Sequence, residues 1–373
     1  MKKTLLWATM LAATLTAWAQ TSGNSIVWPD EGYISTGGTR LVPLDTDIHF
    51  DVKGRGTDWR WELPGAQPDV VESRKATVRY TTAGIHDVTL HYTSGNMQRS
   101  IEAPGSIQAG GADFVWNISS DEKPQLDIIP LAFYGWYGGT NTLGMVKFAE
   151  QFKAPLQKAK VDSVAIWFGS YQVATADAEL HVSIAAENET GMPGDLLATA
   201  TLEASQIAQS KDNPTIFRFD EPVIVDGHFF VVIGGFPNAA GDAIAMKCLR
   251  RKANDLCTAF HLLADEDSHY RPTGTYTWYK NLEDPTSFAI SPWLNYDINT
   301  DTHISTPAAA KIDFDGTSLQ LPSGVRQLQI FSIDGTMKLC LPHPSATVSL
   351  AYLPAGVYLV RTDNAVTKIF KHR

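Results

Sequence analysis

Apolar and polar residues alternate along most of the chain with a period of two, and helical periodicity is weak throughout. Successive side chains of a β-strand point to opposite faces, so this alternation predicts half-buried antiparallel strands. Clear examples are residues 48–52, 59–63, 88–92 and 179–184. A nearly continuous apolar run at 228–236 predicts a strand that is buried on both faces. We therefore predict an all-β fold of tandem β-sandwiches.

The N-terminus has the features of an export signal. Lys2 and Lys3 precede an apolar stretch at 5–18, and Ala17-Trp18-Ala19 gives an A-x-A pattern before Gln20. This arrangement predicts a secretory signal peptide over residues 1–19. The alternative is an N-terminal membrane anchor, but the stretch is short and lacks a basic stop-transfer flank. No later stretch reaches about 18 consecutive apolar residues, so we predict no transmembrane span.

Composition and charge exclude several classes of protein. Hydrophobic residues make up 44% of the 373 residues, which is enough apolar material to exclude a disordered chain. A net charge of −10 repels phosphate backbones, so we expect no nucleic-acid partner. Three cysteines are too few for a disulfide scaffold or a multi-cysteine zinc site. In an oxidising compartment we predict a disulfide between Cys248 and Cys257, with two buried thiols as the alternative.

Two segments in the first third of the chain resemble a known module. They are the residues W-R-W-E-L-P-G-A at 59–66 and V-R-Y-T-T-A-G-I-H-D-V-T-L at 78–90. They resemble the PKD-like domain, an immunoglobulin-like module of secreted and surface proteins, although His86 stands where that family usually has Tyr. The resemblance implies a PKD-like domain at 38–105 that acts as a spacer or binding platform and contributes no catalytic residue.

The largest block, residues 112–300, is predicted to be a jelly-roll-like β-sandwich of two sheets. Three of its segments, at 161–168, 189–197 and 219–231, resemble jelly rolls of the ligand-binding type in exported proteins of Bacteroidetes bacteria. The resemblance lies mainly in the turns G-x-P-G and P-V-x-V-x-G. It implies a fold and does not by itself imply a function.

The last block, residues 306–373, is predicted to be a small immunoglobulin-like sandwich. An Asp-Gly turn, the segment L-P-A-G-V-Y-L-V at 353–360 and a basic end follow one another in it. They resemble the C-terminal sorting domain of type IX secretion cargo. The resemblance implies a type IX translocon and a sortase-like peptidase as partners, and a destination at the cell surface, attached to the outer membrane, or outside the cell. The residues that match the sorting signal are Gly335, Leu353, Pro354, Gly356, Tyr358, Lys368 and Lys371.

The chain contains no G-x-S-x-G, H-E-x-x-H or G-x-x-x-x-G-K-[ST] motif, which lowers the expectation of a hydrolase or nucleotide-binding protein. The acidic segment at 297–301 has the oxygen spacing of a calcium loop. It lacks the glycine of the sixth position, where Thr302 stands, and the glutamate of the twelfth, where Ala308 stands. We predict no metal site and no cofactor, and calcium remains an unsupported alternative.

Aromatic residues near glycines in the middle block are the most informative candidates for binding. Rings at a surface can stack on sugars or anchor a protein partner. The main hypothesis is a non-enzymatic, adhesin-type binding protein for a glycan or a host or matrix protein. The alternatives are an extracellular hydrolase that uses two carboxylates in a cleft, or its accessory module, and a purely structural envelope component. The ligand-binding candidates are Trp136, Tyr137, Trp278, Tyr279 and Trp293.

Overall fold

The computed structural model describes residues 23–252, 255–266, 268, 271–280, 282, 284–297, 312–321, 325, 327–332, 337–342, 344–362 and 366–371. Within them the chain forms 33 β-strands and three short 3-10 helices, at Lys123–Gln125, Ala132–Tyr134 and Ala204–Gln206. The predicted all-β fold of tandem β-sandwiches is confirmed. In this part of the chain no helix has the length and apolar character needed to cross a bilayer. The predicted signal peptide lies outside the described residues.

The N-terminal sandwich is built from ten strands. They are β1 (Ser25–Val27), β2 (Tyr33–Ser35), β3 (Arg40–Val42), β4 (Ile48–Lys53), β5 (Thr57–Glu62), β6 (Ala66–Gln67), β7 (Val70–Val71), β8 (Ala76–Tyr80), β9 (Gly84–Ser94) and β10 (Met97–Ala109). One sheet has the order β1-β4-β8-β6, and the other contains β2-β3-β10-β9-β5-β7. Strands β1 and β2 lie before residue 38, where the predicted PKD-like domain begins.

Trp61 lies at the centre of the core between these two sheets. Its side chain is fully buried, and its ring nitrogen donates a hydrogen bond to the carbonyl of Ser73 at 3.0 Å. Two positions earlier, Trp59 is only half-buried and stacks on Tyr92 with ring centroids 5.3 Å apart. Both rings lie on the same face of β5 because side chains two residues apart on a strand share a face. Phe50 closes the core from the opposite sheet.

The middle sandwich is built from sixteen strands. They are β11 (Ala112–Trp116), β12 (Ile129–Pro130), β13 (Trp136–Tyr137), β14 (Met145–Phe152), β15 (Ala159–Ile166), β16 (Phe168–Gln172), β17 (Glu179–Glu187), β18 (Pro193–Glu203), β19 (Thr215–Val225), β20 (Phe229–Gly234), β21 (Ala243–Met246), β22 (Cys248–Arg250), β23 (Ala259–Glu266), β24 (Pro272–Lys280), β25 (Thr286–Phe288) and β26 (Ile290–Asn295). A six-stranded antiparallel sheet of order β18-β17-β20-β14-β23-β24 faces strands β19-β15-β26-β11 across one core.

A single sheet continues from the N-terminal sandwich into the middle one. Strand β11 pairs with β2 through Val115 and Trp116, and with β26 through Ala112 to Phe114. Side-chain contacts support this junction: the Gln157 amide donates to the carbonyl of Leu44 at 2.7 Å. The two sandwiches are therefore joined by backbone pairing and not by a loop alone.

The C-terminal unit has a core of its own. Its strands are β27 (Asp313–Phe314), β28 (Ser318–Gln320), β29 (Gln327–Ser332), β30 (Met337–Pro342), β31 (Thr347–Ser349), β32 (Gly356–Thr362) and β33 (Val366–Lys371), in sheets of order β27-β28-β31 and β30-β29-β32-β33. Leu353 and Tyr358 are buried in the core between the sheets. The Tyr358 hydroxyl donates to the carbonyl of Pro354 at 2.9 Å, which fixes the turn before β32.

The remaining residues that match the sorting signal are distributed around this core. Gly356 is exposed at the start of β32, and Lys371 is half-buried at the end of β33. Gly335 and the side chain of Lys368 lie outside the described part of the chain.

Candidate functional site

The six-stranded sheet has one face turned to the core and a second face turned away from it, which we call the outer face. On β14, Phe148 and Phe152 point into the core, so alternation puts Ala149 and Gln151 on the outer face. Cross-strand pairing extends this assignment, because Ala149 pairs with Phe260 on β23 and with Val232 on β20. The outer face therefore carries an apolar cluster of its own.

One row of paired positions crosses all six strands of the outer face. Its members, from β24 to β18, are Trp278, Leu262, Lys147, Gly234, His181 and Thr201. Neighbouring strands lie about 4.8 Å apart, so the row is about 24 Å long. A Cβ at Gly234 would meet the Lys147 side chain at 2.9 Å. Because Gly234 has no Cβ, the Lys147 side chain has room to lie close to the sheet surface at the centre of the row.

Two aromatic side chains form a strip along β24 at one end of this row. Tyr276 and Trp278 are two residues apart and share the outer face; Tyr276 is 54% exposed and Trp278 is half-buried. Trp278 packs against the cluster that contains Phe230 and Phe260. The Lys280 ammonium lies 5.0 Å from the centre of the Phe260 ring. Trp278 therefore packs on the apolar cluster of the sheet, and Tyr276 is open to solvent.

Polar groups occupy the other half of the outer face, on β14, β17 and β18. The Gln151 amide donates to the Glu187 carboxylate at 2.7 Å. The hydroxyls of Ser183 and Thr199 are 2.8 Å apart, and the His181 ring lies 3.0 Å from the Thr201 hydroxyl. Ser183 itself is buried; the other side chains can exchange hydrogen bonds with a hydroxylated ligand. The outer face therefore combines an aromatic end with a polar end.

The structure does not bring the five predicted binding candidates together. Trp278 lies on the outer face, whereas Tyr279 points to the opposite face of β24 and stacks on His261 at 5.7 Å. Trp293 is on the other sheet and packs edge-on against Phe114. Of the five, only Trp278 lies in the row described above.

The positions of the candidates Trp136 and Tyr137 differ from expectation as well. Trp136 is half-buried on the short β12–β13 hairpin. Tyr137 is buried in the core and stacks on Phe288 with centroids 5.4 Å apart. A buried ring cannot contact a ligand at the surface, so we remove Tyr137 from the binding candidates. The core needs large rings to fill the space between its sheets, and Tyr137 serves that purpose.

The inner side of β14 carries a fully buried carboxyl group, Glu150. It accepts hydrogen bonds from the Asn117 amide at 2.7 Å, the Thr258 hydroxyl at 2.5 Å and the Phe288 backbone N–H at 2.8 Å. Burial raises the pKa of Glu150 to about 7, because the charged form loses its hydration. Arg251 lies nearby and is itself paired with Glu122 at 2.8 Å.

This group does not form the cleft of paired carboxylates that a hydrolase would require. Glu150 has no solvent exposure, and its oxygens are used by neighbouring protein donors, so a substrate has no route to it. In the described part of the chain, no three His, Cys, Asp or Glu residues are grouped so as to hold a metal ion. The network instead ties β14 to β25 and to the segment around residue 117.

The predicted disulfide between Cys248 and Cys257 is not formed, and both residues are buried thiols. Cys248 pairs with Phe288 along one edge of β25. The residue after Cys257 lies at the other edge, where the Thr258 N–H donates to the carbonyl of Thr286. Strand β25 therefore separates the two cysteines by about two strand spacings, close to 10 Å, and a disulfide needs α-carbons within about 7 Å.

Sequence reasoning missed most of the outer face. Tyr276 lies two residues before the candidate Trp278. Since side chains two residues apart on a strand share a face, Tyr276 was a better partner for Trp278 than the adjacent Tyr279. The polar positions of β17 also alternate in the sequence, which indicates an exposed face. No sequence signal indicates which other strands lie beside them, because that depends on pairing between distant segments.

The fold and the site together describe an all-β protein of tandem sandwiches with a solvent-facing aromatic strip on one sheet. No known protein family matches the chain, and no curated protein matches it. Among solved structures, a SusE-like protein has 12% identity and a TM-score of 0.19, over 58% of this chain and 96% of its own. Another, whose title concerns promiscuous carbohydrate-binding modules of the β-sandwich superfamily, has 13% identity and a TM-score of 0.19, over 60% and 98%. TM-scores this low do not support the transfer of a site or a ligand.

Proposed function

We propose that this chain is a non-enzymatic binding protein that holds a glycan chain across the outer face of the middle sandwich. The observation that carries the proposal is the strip of Tyr276 and Trp278, at the end of a row that continues over polar side chains. The apolar face of a sugar ring packs on an aromatic ring, and its hydroxyls need hydrogen-bond partners. A row about 24 Å long has room for several sugar units.

The test compares two tyrosines on opposite faces of the same strand. Tyr276→Ala removes a ring from the outer face, whereas Tyr279→Ala removes a similarly exposed ring from the inner face and serves as the matched control. Affinity of the full chain for soluble neutral polysaccharides would be measured by affinity electrophoresis and calorimetry. We expect binding to fall in Tyr276→Ala and to persist in Tyr279→Ala.

Trp278→Ala should have the larger effect. Loss of a Trp surface that becomes fully buried under a ligand costs about 2 kcal/mol, or about 30-fold in affinity. Equal losses in the Tyr276→Ala and Tyr279→Ala variants would indicate a general change in stability and would contradict the proposal. So would the absence of binding to every polysaccharide tested.

We further propose that the protein acts at the cell surface or outside the cell, after export by type IX secretion. The signal-peptide pattern at 1–19 and the ordered motifs of the C-terminal unit support this route. The buried positions of Leu353 and Tyr358 suit their being structural parts of a sorting domain. In native cells, deletion of residues 306–373 should leave the protein in the periplasm; normal delivery of the truncated chain would refute the proposed route.

A further inference from the structure

A second surface lies at the side of the middle sandwich, where β18 and β19 border a groove of about 460 Å³. Within the described residues each of these strands pairs along one edge only, β18 with β17 and β19 with β15. The groove is lined by the buried side chains of Phe219 and Val223. The exposed side chains of Leu197 and Ile224 also line it. The groove therefore has both apolar and charged lining residues and lies between two sheet edges.

The two edges differ in how open they are to another strand. Strand β19 has an irregular register opposite Asp162, and Pro222 there lacks a backbone donor. Bulges, prolines and charges are the usual means by which proteins block edge pairing. By contrast, residues 196–202 of β18, L-L-A-T-A-T-L, contain no charge and no proline. Strand β18 has register shifts of its own opposite Ala185, but residues 198–202 pair regularly with β17, so this part of β18 is the less protected edge.

Charge at this edge favours one kind of occupant. Asp195 and Glu203 are exposed at the two ends of the uncharged run, and Asp220 and Glu221 line the groove. A second copy of β18 paired antiparallel about Thr199 would put Asp195 opposite Glu203 twice, and like charges directly opposite each other destabilise a sheet. Basic side chains at the same positions would instead be attracted.

We propose that the free edge of β18 accepts an extended basic peptide as an added strand. The peptide would have an uncharged, β-branched centre of five residues that pairs within the run 196–202, and Lys or Arg at both ends facing the four carboxylates. Main-chain hydrogen bonds would supply affinity, and the groove would receive the side chains on one face of the peptide. This site uses the backbone edge of β18 and the groove, whereas the glycan proposal rests on Tyr276 and Trp278 of β24, so neither proposal depends on the other.

The test uses the fluorescein-labelled peptide KKTVTVTKK with the full chain. We expect a saturable rise in fluorescence anisotropy, together with slower hydrogen exchange of the backbone amides of β18. A peptide of the same sequence, N-methylated at alternate residues on the pairing edge, should not bind because it lacks the donors needed for strand pairing.

Charge variants distinguish the groove from general attraction to an acidic protein. The double variant Asp220→Asn, Glu221→Gln should bind the peptide about three- to tenfold more weakly, since each exposed charge pair contributes modestly. Glu72→Gln, in the N-terminal sandwich, is the control and should bind normally. Equal binding of the N-methylated peptide, protection confined to strands other than β18, or a stable dimer of the chain that the peptide does not dissociate would each overturn the proposal.

Discussion

Replacement of Glu150 by Gln should make the stability of the middle sandwich less dependent on pH. The carboxyl group is fully buried among the Asn117 amide, the Thr258 hydroxyl and the Phe288 N–H. Its pKa is raised from an ordinary value of 4.5 to about 7, because burial penalises the charged form more than these donors stabilise it. A Gln side chain has nearly the same shape and keeps one accepting oxygen, but it cannot titrate.

The sign and size of the effect follow from proton linkage. Between pH 4.5 and 7 the folded protein keeps the Glu150 proton, whereas the unfolded chain has released it. The contribution of this group to stability is therefore complete below pH 4.5 and is lost as the pH rises to about 7. The pKa difference corresponds to roughly 3 kcal/mol in total, and about 2.5 kcal/mol of it falls between pH 5 and pH 8.

Native-state hydrogen exchange of the β14 and β20 amides measures this free energy within the middle sandwich. The stability of Glu150→Gln relative to the unmodified protein should rise by about 2.5 kcal/mol from pH 5 to pH 8. Glu189→Gln, at an exposed loop position, is the control and should show no such change. If the difference between Glu150→Gln and the unmodified protein is the same at both pH values, burial does not control the ionisation of Glu150 and the reasoning is refuted.

Three further outcomes test the cores of the chain. Trp61→Ala should destabilise the N-terminal sandwich by about 3–5 kcal/mol in urea unfolding, since a fully buried ring and its hydrogen bond are lost. Tyr358→Phe should cost the C-terminal unit about 1 kcal/mol by the same assay, because the hydrogen bond to Pro354 disappears. Iodoacetamide should modify the exposed Cys340 readily and the buried Cys248 only on unfolding, as burial also raises the pKa of the Cys248 thiol; rapid labelling of both would contradict the structure.

The sequence predicted the class of fold because alternation is a local property. On β17 the pattern of Leu180, Val182 and Ile184 between polar residues directly indicates one buried face. On β20 there is no alternation; its continuous apolar run predicts burial on both faces, and all six residues are buried. There Phe230 and Val232 belong to the outer-face cluster, and Phe229 belongs to the core. A continuous apolar run does not show which of its two faces is the core.

The site was harder to predict because it depends on pairing between distant segments. The candidates Trp278 and Tyr279 are adjacent in the sequence and identical in their local signal, yet they point to opposite faces of one strand. The choice between them follows from the position of β23, which pairs His261 with Tyr279 and so directs that ring inward. The disulfide prediction failed for the same kind of reason, since β25 comes between two cysteines that are close in sequence.

The two proposed binding surfaces share strand β18, and this gives a joint prediction. Thr199 and Thr201 present their hydroxyls on the outer face, while the backbone edge of the same strand borders the groove. A peptide added to β18 would lengthen the six-stranded sheet by about 4.8 Å and continue the row beyond Thr201 without covering Trp278. We therefore expect a polysaccharide to bind the peptide-loaded chain at least as tightly as the free chain, and by linkage the peptide should gain the same factor. Mutual exclusion of the two ligands would mean that the peptide lies across the outer face, and strand addition at β18 would then be wrong even if Tyr276→Ala abolishes glycan binding.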